Sequence, residues 1–236
     1  HFPYLKFEFD SEVTVPCRLA YEEAAQVWFN GKEVDIKPDG GYFTDKSVRT
    51  MPMPEIVKGK NTLIIKAPIG KRVSLENYFL LGEFGVRTEG CVSVVTKKPE
   101  KIAFGSVTDK GLPFYGAEIT YKMEFETENE ARVNIRCDMY KGALVGVKLD
   151  SEEIGNVIFP PYRVNSGKIG KGKHVLELTL YGSRQNCFGA LHNCSNAKWI
   201  GPNYWYTSGS DWAYEYQLKD MGILKSPVIE IFPAEN

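Results

Sequence analysis

Arg184, Asn186 and His192 crowd into one short stretch, LYGSRQNCFGALHN (residues 180–193), directly after a run that reads as a plain strand. A guanidinium, a carboxamide and an imidazole so spaced can bond the hydroxyls or carboxylates of a ligand, or the backbone of their own loop. Trp199, Tyr204, Trp205 and Trp212 follow, so this region holds three of the four tryptophans in the chain. Aromatic faces stack on the C–H faces of sugars while nearby amides and charges bond the hydroxyls, which makes these seven residues the candidate ligand site. A second reading of the same residues is structural. Arg184 and Asn186 would then order the loop by bonding backbone carbonyls, and the aromatics would cap one end of the fold. Trp212, Tyr214 and Tyr216 alternate as a strand face would, whereas Trp199, Tyr204 and Trp205 sit among Gly201, Pro202 and Asn203 and belong on a loop.

Catalysis is not expected of these residues. Glycoside hydrolysis takes two carboxylates held about 5 to 9.5 Å apart, and nothing in the sequence pairs Glu83, Asp211 or Glu215. No phosphate-binding glycine loop, nucleophile elbow or HExxH stretch is present. Cys187, His192 and Cys194 lack a fourth ligand and match no zinc spacing, so neither metal nor cofactor is expected. Lys plus Arg (29) balance Asp plus Glu (30) with no polybasic run, which removes the electrostatic footprint of a nucleic-acid or membrane-surface binder. No apolar run approaches the length of a membrane span, and HFPYLKFEFD has neither region of a signal peptide. Five cysteines are an odd number in a chain too large to need stapling, so no disulfide framework is implied; a Cys187–Cys194 bridge is not favoured.

The elements that must position these residues are strands. In ARVNIRCDMY, Val133, Ile135, Cys137 and Met139 alternate with polar neighbours, and VTVPCRLA repeats the pattern with Val13, Val15, Cys17 and Leu19. Shifting by 120 aligns residues 13–34 with 133–154 without a gap, placing Asn30-Gly31 and Asp150-Ser151 at equivalent hairpin turns. A second anchor sets IVKGKNTLIIKA (56–67) against IGKGKHVLELTL (169–180) at an offset of 113. A third sets GVRTEGCVSVV (85–95) against GILKSPVIEIF (222–232) at an offset of 137, so the second copy gains 24 residues between these anchors. Three anchors in one order predict an internal duplication. The expected architecture is all-β: two tandem antiparallel β-sandwich domains, residues 1–97 and 98–236, with an aromatic-rich insertion at 183–216. Cys17, Cys137 and, opposite Val228, Cys91 read as small core residues.

Tyr121, Met123 and Phe125 correspond to Leu5, Phe7 and Phe9, but nothing in the first copy corresponds to residues 101–115. The first module is therefore expected to lack its opening segment, as a piece of a longer polypeptide would, and to carry an open strand edge or apolar patch.

VWFNGKEV with KGKNTLIIK, and VGVKLDSEEIG with GKGKHVLELTLYG, resemble the galactose-binding-like jelly-roll domains that accompany glycoside hydrolases of the family-2 and rhamnosidase-like types. NYFLLGEFGV, GLPFYGAEITY, LYGSRQNCFGALHN and DWAYEYQLKDMGIL are similar to the accessory β-sandwich region of large, mostly bacterial, hydrolases of this kind. The resemblance implies that catalysis sits in a separate upstream domain of the same polypeptide. These sandwiches would bind carbohydrate or buttress that domain, in a bacterial protein whose compartment, cytoplasmic or secreted, stays open. It carries over no ligand motif residue by residue.

Overall fold

The computed structural model describes residues 1–70, 77–195 and 208–234. The chain forms two compact units, one of His1–Glu100 with Tyr214–Tyr216, the other of Lys101–Ala213 with Gln217–Asn236. Both are built almost wholly of strands that pair antiparallel, as the period-two patterning requires.

In the first unit the strands are β1 (Tyr4–Ser11), β2 (Arg18–Tyr21), β3 (Gln26–Phe29), β4 (Lys32–Val34), β5 (Tyr42–Phe43), β6 (Asp45–Pro52), β7 (Gly59–Lys66), β8 (Phe79–Leu81), β9 (Phe84–Glu89) and β10 (Val92–Lys97). They make a six-stranded sheet, β4-β3-β7-β1-β10-β9, and a four-stranded one, β5-β6-β2-β8. Leu19 and Met51 from the smaller sheet meet Val27, Phe29, Leu63 and Ile65 from the larger in one buried cluster. One pairing is parallel, β1 with β10, and it spans only Asp10 and Ser11, so the rest of that β1 edge has no strand partner among the described residues. Phe7, on this stretch, is exposed.

The second unit contains β11 (Ile119–Thr127), β12 (Ala131–Arg136), β13 (Tyr140–Lys141), β14 (Leu144–Leu149), β15 (Glu152–Val157), β16 (Arg163–Ile169), β17 (Gly172–Tyr181), β18 (Gly222–Ile223) and β19 (Val228–Pro233), with a short 3-10 turn at Thr108–Lys110 and a helical turn, α1 (Gln185–Phe188). The sheet β11-β17-β14-β15 shares its core with β16-β12-β19 and with the β13-β18 pair. Residues 101–115 are part of this unit: the Gly105 and Val107 amides donate to the Ile223 and Met221 carbonyls, and Val107 is fully buried.

The second anchor and the hairpin half of the first coincide, but the opening stretch of the first does not: residues 12–17 carry only an isolated Val15–Ile56 bridge where 133–136 lie in β12. β1-β7-β3-β4 and β11-β17-β14-β15 have the same order. Leu5 pairs Ile65 and Phe7 pairs Leu63 in one, and Tyr121 pairs Leu178 and Met123 pairs Leu176 in the other. The hairpin turns match as well, with positive φ at Asn30 and Gly31 and at Asp150 and Ser151, as a type I′ turn requires. Each turn is clasped to the neighbouring strand by its first side chain. Asn30 accepts from the Thr62 amide at 2.8 Å and donates to Asn61 at 3.0 Å. Asp150 accepts from the Val175 amide at 2.8 Å and from His174 Nδ1 at 2.7 Å.

The third anchor is not matched in pairing. Residues 84–97 close a hairpin, β9-β10, through Gly90 at φ +60°, whereas β18 pairs β13 and β19 pairs β12. Pro227 stands opposite Gly90 in the alignment, and proline can neither adopt that φ nor donate to a closing ladder. Cys91 is consequently an exposed turn residue and not a core one, while Cys17 and Cys137 are buried as expected. Met139 also departs from expectation and is 50% exposed, because β12 ends at Arg136 and the alternation breaks before β13. Tyr214 and Tyr216 do not continue a strand from Trp212, which makes only an isolated bridge to Asn193.

The clasp in the second unit predicts a pH effect. Hydrogen bonds from His174 and then from Val175 hold the Asp150 carboxyl below the usual aspartate range. A depressed folded-state pKa contributes stability that is present above the unfolded value, about 3.9, and lost as pH falls through the folded one. Asp150→Asn should therefore lower the urea midpoint at pH 6, by a modest amount because the carboxylate is half-exposed, and the deficit should shrink below about pH 3.9. A deficit that stays constant from pH 6 to 2.5 would sink this account.

Candidate functional site

β17 delivers the site. Its inward positions Leu176, Leu178 and Leu180 are fully buried, so the alternation turns Tyr181 outward at the strand's end. There the chain leaves the sheet through Gly182, where an added Cβ would stand 2.6 Å from the Ala117 carbonyl oxygen; only glycine permits so close a passage. Ile119 opposite Leu180 begins β11, so the segment entering β11 lies beside the segment leaving β17. Between them runs a groove of about 710 Å³ lined by Tyr115, Gly116, Ala117, Glu118, Tyr181, Gly182 and Arg184.

Both tyrosines are exposed, and the Tyr115 hydroxyl donates to the Glu118 carbonyl at 3.0 Å, which fixes its ring. The Tyr181 ring passes over Gly146, where an added Cβ would already touch its Cε2 at 3.4 Å. The aliphatic stem of Arg184 packs on Gly116. Neither the Arg184 guanidinium nor the Glu118 carboxylate forms an ion pair or side-chain hydrogen bond among the described residues. The groove thus offers two ring faces, one five-donor cation and one acceptor-only anion, from the segments that enter β11 and leave β17.

Of the described candidates read from sequence, Arg184 alone lines this groove. Asn186 is 5% exposed and committed to the backbone: it donates to the Pro113 and Lys219 carbonyls at 3.0 and 2.8 Å and accepts from the Lys219 amide at 2.9 Å. It borders a smaller cleft of about 220 Å³ with Lys141, Lys219 and Asp220, but its amide serves the fold. His192 and Trp212 lie together at the neck of the inserted loop, with ring centroids 5.7 Å apart. The neck is a short ladder in which the Ala213 amide donates to the His192 carbonyl and the Cys194 amide to that of Asp211. His192 Nδ1 donates to the Ala213 carbonyl at 3.0 Å. Trp199, Tyr204 and Trp205 lie outside the described residues. Tyr115, Glu118 and Tyr181 were not among the sequence candidates. Continued alternation past Leu180 was the signal that could have found Tyr181.

The thiols give a check on this part of the fold. Cys187 is buried and donates to the Phe114 carbonyl, and burial raises its pKa. Burial pushes Cys17 and Cys137 up to about 11. A thiol reagent at pH 8 should therefore modify Cys91 and Cys194 fast and the other three only on unfolding, since the thiolate is the nucleophile. Fast labelling of Cys187 would contradict the packing of α1.

No protein-family model matches the chain, and no curated protein matches it. Among solved structures it is similar to one described as a rhamnosidase from Novosphingobium sp. PP1Y, at 15% identity and a TM-score of 0.38, over 97% of this chain and 22% of that one.

Proposed function

We propose that this chain is a non-catalytic, carbohydrate-binding accessory region of a larger glycoside hydrolase. The observation that carries the binding part is the groove at the end of β17, where the rings of Tyr115 and Tyr181 flank the uncommitted Arg184 and Glu118. Ring faces suit sugar C–H surfaces, and a cation beside an anion suits a ligand whose hydroxyls both donate and accept. Glu118 is the one carboxylate among the groove's described lining residues, whereas hydrolysis of a glycoside takes two. The link to a larger hydrolase rests on the sequence resemblance. The reading of the two units as copies of one module, divided near residues 97–100, is supported by their shared strand order, register and turn clasp.

The second reading is a scaffold that packs on an upstream catalytic domain. It is favoured by β19, which among the described residues pairs only β12 and leaves Val228, Ile231 and Phe232 exposed. Edges of this kind are what a neighbouring domain covers. A glycan-array screen of the whole chain, followed by calorimetry on each hit, separates the two. Saturable binding supports the lectin-like reading, whereas silence on the array, together with a longer polypeptide that melts higher, supports the scaffold.

A further inference from the structure

The first unit carries exposed aromatics outside its own core. In the six-stranded sheet Val27, Phe29, Leu63 and Ile65 face inward and are buried. Gln26 and Trp28 of β3, Lys66 of β7, Tyr4 of β1 and Glu33 of β4 therefore share the outer face. The ladder continues past β1, with the Ala67 amide on the Pro3 carbonyl, and Phe2 is two residues before Tyr4 on the same face. Tyr4 is 61% exposed and Phe2 56%. At the equivalent outer positions of the second unit stand Thr120 for Tyr4, Thr179 for Lys66, Lys148 for Trp28 and Gly146 for Gln26. None of these four positions is aromatic, and the ring on that face, Tyr181, comes from the end of β17 and lies over Gly146.

We infer that this outer face is a second carbohydrate site, an exposed surface whose Tyr4 and Trp28 rings, inclined 39° to each other, take the ring faces of a neutral polysaccharide chain. Two features select that occupant. Trp28 and Tyr4 lie side by side with centroids 5.9 Å apart, and Phe2 extends the row. Beside this row runs a polar one: Lys66 Nζ donates to Gln26 at 3.0 Å, and Gln26 donates to Glu33 at 3.1 Å. The Lys66 ammonium lies over the Phe2 and Tyr4 rings, 5.6 and 5.8 Å from their centroids, so a sugar meets these rings together with the lysine. An apolar protein partner laid over these rings would strip water from an ammonium and leave it unpaired, and lysine and glutamate are depleted from the centres of protein interfaces. A sugar chain offers C–H faces to the rings and hydroxyls to Lys66, Gln26 and Glu33 in the same contact. The lysine and glutamate charges cancel, which suits an uncharged glycan over a uronate or sulfated one.

This inference goes beyond the groove of the second unit and stands without it. Its test is affinity electrophoresis of the whole chain in gels containing hydroxyethylcellulose, xylan, galactomannan or soluble starch. A Tyr181→Ala/Arg184→Ala background silences the groove, so what remains reports the outer face. Retardation by at least one polysaccharide in that background is expected, weakened about tenfold by Tyr4→Ala or Trp28→Ala and less by Lys66→Ala. Tyr4 is mostly exposed, so its variant keeps the test valid even where Trp28→Ala lowers stability; melting curves check both. Absence of retardation in that background overturns the second site whatever the groove does. So does retardation that Tyr4→Ala leaves unchanged. A concentration-dependent dimer in sedimentation that Tyr4→Ala dissolves, with no glycan effect, would give the face to a second copy of the chain.

Discussion

Tyr181→Ala is expected to weaken glycan binding about tenfold and Arg184→Ala by a similar or larger factor, with melting temperatures near that of the wild type. The tyrosine supplies ring area to the groove lining and is not part of the core, so its loss removes a stacking contact of about 0.5 to 1.5 kcal/mol together with buried area. The guanidinium supplies hydrogen bonds from a charged donor, which contribute about 1.5 to 3 kcal/mol each when well formed. Both residues line one groove, so their effects need not add, and a double-mutant cycle would show coupling if one sugar residue touches both. Titration calorimetry on the best array ligand reads the affinities, and a thermal melt of the same samples reads the fold. A loss of several degrees without any change in affinity would assign these side chains to the scaffold.

Asn186→Ala is expected to do the reverse. The amide is buried and bonds three backbone groups, the Pro113 and Lys219 carbonyls and the Lys219 amide, so truncation strands all three. Stranded buried groups cost about 1 to 3 kcal/mol each, and allowing for relaxation and entering water the total should be about 3 kcal/mol of unfolding free energy. Urea denaturation at neutral pH measures it. A loss below about 1 kcal/mol would mean that the α1 segment holds itself in place without this residue.

The contrast between Arg184 and Asn186 shows what could be read in the sequence. Strand alternation and the two hairpin turns were legible because both are local: Leu176, Leu178 and Leu180 announce their face, and Asn30-Gly31 and Asp150-Ser151 announce their turn. The all-β sandwich class follows from such signals. Whether a polar side chain in a loop turns to a ligand or to its own backbone is decided by distant partners, here Pro113 and Lys219, and no spacing rule contains them. The same limit hid Tyr115 and Glu118, which reach Tyr181 and Arg184 only through the ladder between Ile119 and Leu180. The third anchor failed for a local reason that was visible: Gly90 permits a left-handed turn and Pro227 forbids it. Trp28 and Tyr4 are legible as outward by alternation with Val27 and Leu5.

The pairing of β12 with β19 sets the pace at which the second unit forms. Arg136 pairs Val228, so contacts across this seam lie roughly ninety residues apart along the chain. Closing so long a loop loses chain entropy before any contact rewards it, and folds dominated by such pairings form in milliseconds to seconds. On the ribosome, at about 5 to 20 residues per second, Val133 and Ile135 wait several seconds for Ile229 and Ile231 to be made. The β14-β15 hairpin and β17 can assemble in that interval with one side of β12 still bare. The nascent second unit therefore passes through a stage in which an apolar strand edge is open, and co-translational chaperone binding should concentrate there.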